Sequence, residues 1–335
     1  MDFDPAGWNK ARRARLMAVV VTMAAALIVV ACSSVSDASP ESGNGEALSA
    51  LSPSETPVNG STPTLEPPFV DQTIHSVPLD QIVFDTFDGG AVRLNDASIS
   101  TIRRLRDAIR PLYEPVQYQD VDGGDWLSDS DTVIGYVSES GPYAYPIKFL
   151  NSRELVDDTI DGVPVLVSYC PLYGSGVVYD RRLDSVEQVF GNTSALYEND
   201  LVMFDHDTGS YWFQVGGEAI VGSLTGSKLE PLPSTTIPWG GWKDLHADTQ
   251  ILSREQGFAT SRNYAGDPFS SYKNRVDDLR FPFPVTEEKI DTRLPASTVT
   301  VTVRVGEHEK AYPVETMGDA IANDLIAEEP AVVFS

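Results

Sequence analysis

Val163-Pro164-Val165-Leu166-Val167-Ser168-Tyr169-Cys170-Pro171-Leu172-Tyr173-Gly174-Ser175-Gly176-Val177-Val178-Tyr179-Asp180-Arg181 is the stretch on which the reading of the fold turns. Residues 163–169 and 176–180 are rich in β-branched and aromatic residues, and Pro171 and Gly174 punctuate them, so the stretch reads as two strands joined by a turn. The same pattern extends in both directions. Strands are predicted at 132–137, 143–147, 185–190, 201–205 and 210–215, with Gly, Asp and Asn between them. Residues 70–96 read as short strands and turns, with Asp88-Gly89-Gly90 as a turn signal. Helical spacing appears at 98–113, where Ile102, Leu105, Ile109 and Leu112 share one side and Pro111 is the stop signal, and more weakly at 150–156. The expected fold class is α+β and mainly β, with antiparallel sheets and few helices.

The middle of the chain returns at its end. Val133-Ile134-Gly135-Tyr136-Val137, Ala144-Tyr145-Pro146, Asp158 and Pro164-Val165-Leu166-Val167 are echoed, one residue shorter between markers, by Thr300-Val301-Thr302-Val303, Ala311-Tyr312-Pro313, Asp324 and Pro330-Ala331-Val332-Val333. The echo predicts an internal repeat of a hairpin–helix–strand unit at about 132–169 and 299–335. Chance similarity between two Val-rich strand patterns is the competing explanation.

The stretch from Tyr169 to Arg181, with Ala144-Tyr145-Pro146 before it and Asn199-Asp200-Leu201-Val202-Met203-Phe204-Asp205 and Thr208-Gly209-Ser210-Tyr211-Trp212 after it, resembles the domain of unknown function 3179 family of bacteria and archaea. The resemblance covers about 125–284, and the C-terminal echo is similar to the family's continuation. Members usually carry Cys-Pro-Leu-Cys and an Asn-x-His-Glu segment. This chain has Tyr173 in place of the second cysteine and Arg153 in place of the histidine. A thiol pair with an imidazole would suit a soft metal or dithiol exchange. Here that set is reduced to Cys170, which has no partner to resolve a disulfide if Cys32 is lipidated.

Two readings of Cys170 follow. It packs as a small buried hydrophobe behind an apolar strand, or it is a lone nucleophile whose pKa Arg153 depresses, with Tyr173 as an altered neighbour. Asp180, Arg181, Asp205, Ser210 and Trp212 are candidates for a polar ligand pocket between strands; ion pairing and turn capping at sheet ends explain the polar ones equally well. Trp239, Trp242, Tyr264, Phe269 and Tyr272 extend the aromatic candidates for a binding surface, against which stands ordinary core packing. His75, His206, His246 and His308 show no metal-ligand spacing, and His206 reads as a solvated turn residue. The loop Asp120-Val121-Asp122-Gly123-Gly124-Asp125 hints at calcium, but its glycine is misplaced for an EF-hand, so a turn is the simpler reading. No metal site is expected, and no cofactor or substrate is named by any motif.

The N-terminus sets the expected location. Lys10, Arg12, Arg13 and Arg15 precede an apolar run at 16–30, shorter than the roughly 20 residues a spanning helix needs, so a cleaved signal peptide at 1–31 is expected. Val29-Val30-Ala31-Cys32-Ser33 resembles a lipobox, which makes Cys32 the lipidation site and a membrane the first partner, through its acyl chains. An ordinary signal peptide and an uncleaved anchor are the alternatives. Residues 32–68 are rich in Ser, Pro, Thr, Gly and Glu and read as a stalk, and 69–335 as the globular domain on the extracytoplasmic face. The 335 residues carry 49 acidic against 24 basic side chains, a net charge of −25 spread along the chain, which excludes nucleic acid as a partner. What remains is an envelope-associated lipoprotein, either a non-catalytic scaffold for a small molecule or protein, or a thiol-dependent enzyme or metal-handling protein using Cys170.

Overall fold

A computed structural model describes residues 66–335 except 115, 258–263, 265–274, 307, 319 and 335. The leader, Cys32 and the stalk up to 65 lie outside the described residues, as do Phe269, Tyr272 and Ser335. The described strands, in chain order, are β1 (Val83–Asp85), β2 (Ala91–Arg93), β3 (Tyr118–Gln119), β4 (Thr132–Val137), β5 (Pro142–Pro146), β6 (Leu155–Ile160), β7 (Val163–Cys170) and β8 (Ser175–Asp180). They continue with β9 (Arg182–Leu183), β10 (Val186–Glu187), β11 (Phe190–Tyr197), β12 (Asp200–Asp205), β13 (Tyr211–Phe213), β14 (Glu218–Val221), β15 (Glu230–Leu232), β16 (Ser234–Pro238) and β17 (Gln250–Leu252). The C-terminal part adds β18 (Thr300–Val305), β19 (His308–Pro313), β20 (Ala322–Ile326) and β21 (Glu329–Val333). Four short α-helices are described from end to end: α1 (Ile99–Leu105), α2 (Ile147–Leu150), α3 (Trp239–Leu245) and α4 (Val314–Met317).

Three sheets stack. The first has the order β14-β13-β12-β11-β1-β2, the second β15-β8-β7-β6, and the third β16-β4-β5-β17-β3. Among the strands named here, pairing is antiparallel except where β17 runs parallel to β5. The second sheet is the middle layer, and its strands are apolar on both faces for that reason. One face of β7 sends Val165, Val167 and Tyr169 into a core with Ile134, Tyr145, Val156 and Val178. The other sends Leu166 and Cys170 into a core with Leu155, Phe190, Leu201, Met203 and Trp212. The far face of the first sheet is covered by α1 through Ile102 and Leu105. Trp239 and Trp242 of α3 cover the third sheet.

Several boundaries differ from expectation, each for a tertiary reason. The helix expected over 98–113 is capped by Ser98 as read but stops at Leu105. Asp107 takes a φ of +52°, and its backbone N–H donates to the Asn192 carbonyl at 2.8 Å while its carboxylate accepts from the Asn192 N–H at 2.8 Å; pairing with β11 outcompetes another helical turn. The helix expected at 150–156 is one turn earlier, and Leu155 instead begins β6, laddered to β7 from Leu155↔Ser168 to Ile160↔Val163. The single strand expected at 185–190 is two pieces. Asp184 and Ser185, both at positive φ, form the two-residue turn of the β9–β10 hairpin, and Phe190 then opens the eight-residue strand β11.

The echo is a structural repeat. The β4–β5 hairpin, α2 and the β6–β7 hairpin correspond in order to the β18–β19 hairpin, α4 and the β20–β21 hairpin. Each copy therefore ends in a second hairpin, where a lone strand was expected. Tyr312 donates to Asp324 at 2.9 Å. In the first copy Tyr118 stands between the equivalent pair, donating to Asp158 and sharing a 2.8 Å hydrogen bond with Tyr145.

Candidate functional site at the Cys170 seam

Cys170 ends β7 and faces the first sheet, with 2% of its surface exposed. It is a free thiol. Burial, then the Asp200 and Glu154 carboxyl groups, push its pKa well above the ordinary thiol value. Arg153, also buried, directs its Nη1 to the Arg110 carbonyl at 3.2 Å. Burial and the two carboxyl groups act against the thiolate, the form that serves as nucleophile.

Around the thiol lies a polar seam between the two sheets. Asp200, the first residue of β12, accepts from the Val215 N–H at 2.9 Å and from the Cys170 thiol, and burial raises its pKa to about 7. Glu154, held at a φ of +60° before β6, accepts from Asn192 Nδ2 at 2.6 Å, and burial raises it to about 8. Ser175 donates to Gln214 Oε1 at 2.7 Å, and Gln214 Nε2 donates to Ser168 Oγ at 2.8 Å. The seam thus joins β6, β7 and β8 to β11 and β12 through neutral or half-neutral carboxyls, thiol, amide and hydroxyl. Such a network fixes how two sheets register. The acceptor beside the thiol is the Asp200 carboxyl, and both groups are buried.

Tyr173 lies on the 171–174 turn, about half exposed, next to Asp200 and Cys170. Of the pocket candidates, Asp205, Ser210 and Trp212 do come together. Trp212 donates from Nε1 to Asp205 Oδ2 at 3.0 Å, Thr208 caps the same carboxylate through its N–H at 2.6 Å, and Thr208 Oγ1 meets Ser210 Oγ at 2.7 Å. All three candidates are fully buried and tie the β12–β13 hairpin together. Asp180 pairs with Arg182. Arg181 is 1% exposed and is held by Glu114 at 2.7 Å, Glu187 at 2.6 Å and the Gln188 carbonyl at 2.8 Å. Trp239, Trp242 and Tyr264 are core residues, Tyr264 against Phe149 and Trp126.

Sequence reading met Glu154 only as the last residue of the Asn-x-Arg-Glu segment, without a role, and missed Asn192, since nothing local marks an asparagine inside a strand as a buried partner. It quoted Asp200 in a motif without assigning it a role. It also placed His206 in solvent. The structure stacks the His206 ring on Phe204 and sets Nε2 3.3 Å from the Tyr113 hydroxyl, which donates to Asp107 at 3.1 Å; burial and Arg106 lower the imidazole pKa to about 4. The acidic loop 120–125 forms a 3-10 turn beside a depression of about 550 Å³ shared with Gln119, Arg254 and Glu255. Among the described residues, no three His, Cys, Asp or Glu side chains are grouped to hold a metal ion, and no helix is long and apolar enough to cross a membrane.

No curated protein and no solved structure matches the chain. The family model described as a protein of unknown function (DUF3179) matches residues 106–335. The match begins earlier than the motifs around Cys170 suggest and takes in the second and third sheets, strands β11–β14 of the first, and the C-terminal copy of the repeat. Over more than half its length, then, this chain belongs to the DUF3179 family.

Proposed function

We propose that the chain is an extracytoplasmic lipoprotein, tethered through Cys32, whose DUF3179 domain is a non-catalytic binding scaffold of the cell envelope. The observation that carries the second half is the state of Cys170. Where family members usually have two cysteines, this chain keeps one, sealed between sheets with its pKa raised and its hydrogen bond given to Asp200. A thiol so placed contributes packing and register. The first half rests on the charged, apolar and lipobox-like succession up to Cys32.

Both halves are tested on the full chain expressed in bacteria. Cys32→Ser is expected to move the chain out of the washed membrane fraction and to abolish incorporation of labelled palmitate. Continued membrane retention without acylation would mean an uncleaved anchor. For the scaffold, Cys170 in the native protein should react with a maleimide at least about 100-fold more slowly than in denaturant, because only the exposed thiolate reacts. Labelling at the rate of a free exposed thiol would return catalysis through Cys170 to first place.

A further inference from the structure

The two copies of the repeat differ in what covers them. In the first copy the inward face of the β6–β7 hairpin, with Val156, Ile160, Val165 and Val167, packs on Tyr145 and Leu150. The second copy reproduces this core, placing Ala322, Ile326 and Val333 of the β20–β21 hairpin against Tyr312 and Met317. The outward face is where they part. On β6–β7 it carries Leu155, Asp157, Leu166 and Ser168, each at most 2% exposed because the six-stranded sheet lies over them. The corresponding positions on β20–β21 are Ile321, Asn323, Val332 and Phe334. Three of them are large and apolar, yet Ile321 is 63%, Val332 60% and Phe334 72% exposed, with Leu325 beside them at 65%.

These residues form one surface. The register pairs Asn323 with Val332 and Leu325 with Pro330, and strand alternation continues the face to Ile321 and Phe334. Its exposed apolar area is roughly 500 Å², at the upper end of what a monomer leaves bare. A homodimer interface of standard size takes about 800 Å² from each partner, of which about 65% is apolar. The face supplies that apolar share unaided. No residue on it is charged; Glu328 and Glu329 lie at the turn at one end. A two-fold axis lying in the plane of the face and perpendicular to its strands would set the turn of one copy over the open end of the other, keeping the acidic pairs apart although each chain carries a charge of −25.

We infer that this outward face of β20–β21 is an isologous dimer interface, and that its occupant is the same hairpin of a second copy of the chain. The second copy does for β20–β21 what the six-stranded sheet does for β6–β7. The inference goes beyond the anchoring and scaffold reading and stands or falls separately from it.

Sedimentation velocity on the full chain at tens of micromolar tests it, with Leu325→Glu and Val332→Glu as interface variants and Leu245→Glu, which alters an exposed leucine on α3, as control. Wild type and control are expected to run as dimers. The interface variants should run as monomers with unchanged far-UV circular dichroism, their dissociation constants raised roughly tenfold or more. Amide exchange on the wild type gives a readout free of substitution: protection of 321–334 should rise with protein concentration. A wild type that stays monomeric without that protection overturns the inference, as does a dimer indifferent to both interface variants. Wild-type binding to phosphatidylcholine vesicles that Leu325→Glu abolishes, without self-association, would also overturn it by making a membrane the occupant.

Discussion

Glu154, Asp157 and Asp200 sit buried where sheets meet, and burial raises them to about 8, about 8 and about 7. Asp157 is held by one hydrogen bond, from the Phe190 N–H at 2.8 Å, and among the described residues its other oxygen has no partner. A carboxyl whose pKa is higher folded than unfolded stabilises the fold fully below its unfolded value, near 4, and loses that contribution as pH rises through the folded value. Stability is therefore expected to fall between about pH 5 and about pH 8.5, in contrast to a protein dominated by carboxylate ion pairs. Urea titrations at a series of pH values measure this directly. Glu154→Gln keeps an acceptor for Asn192 and removes the ionisation, so it should flatten the profile and gain on the order of 2 kcal/mol near pH 8. A variant whose stability follows the wild-type curve would show that Glu154 ionises in the fold without penalty.

At the scale of the element, backbones approach closely because small residues let them. Gly135 in β4 lies under α3, where an added Cβ would come 2.2 Å from Trp242 Cζ3. Trp242 has little room to yield, since its Nε1 donates to Thr249 Oγ1 at 2.9 Å. Gly135→Ala is expected to cost about 1–3 kcal/mol by overpacking and to shift the tryptophan emission to the red; an unchanged urea midpoint would mean that α3 lifts freely. Gly135 belongs to the repeat that was legible in sequence, as were β4, β7, β8 and β12, whose apolar runs announce burial whatever surrounds them. Strand β11 was not legible. Its Gly191-Asn192-Thr193-Ser194 has the composition of a loop, yet all four residues are buried around a bulge, where Asn192 Oδ1 accepts from the Ser194 N–H at 2.6 Å and Ser194 donates to the Leu105 carbonyl at 2.7 Å. Local composition cannot show that a polar segment finds its hydrogen bonds in other elements. The same limit hid the character of the site. Cys170 stood out by its motif, but whether its neighbours are cations or neutral carboxyls depends on how two sheets stack.

For the molecule as a whole, the excess of 49 acidic over 24 basic residues is the largest electrostatic fact. The described ion pairs lie mostly at the surface, such as Arg103–Glu66 and Arg293–Asp291. Exposed pairs contribute little and weaken in salt. Arg181 differs, being a buried guanidinium that salt does not reach well. Against these local gains stands a diffuse repulsion that the compact state concentrates and the unfolded chain relaxes. Salt screens both, and with a charge of −25 the repulsion is expected to outweigh the exposed pairs. Raising sodium chloride from about 0.02 M to about 0.3 M shortens the Debye length to roughly 6 Å and is expected to raise the melting temperature by a few degrees. Thermal scans of Leu325→Glu beside the wild type separate folding from association, because screening also favours contact between like-charged copies. A rise shared by both proteins belongs to the fold. A rise confined to the wild type belongs to the dimer, and a fall in both would mean that the surface pairs outweigh the repulsion.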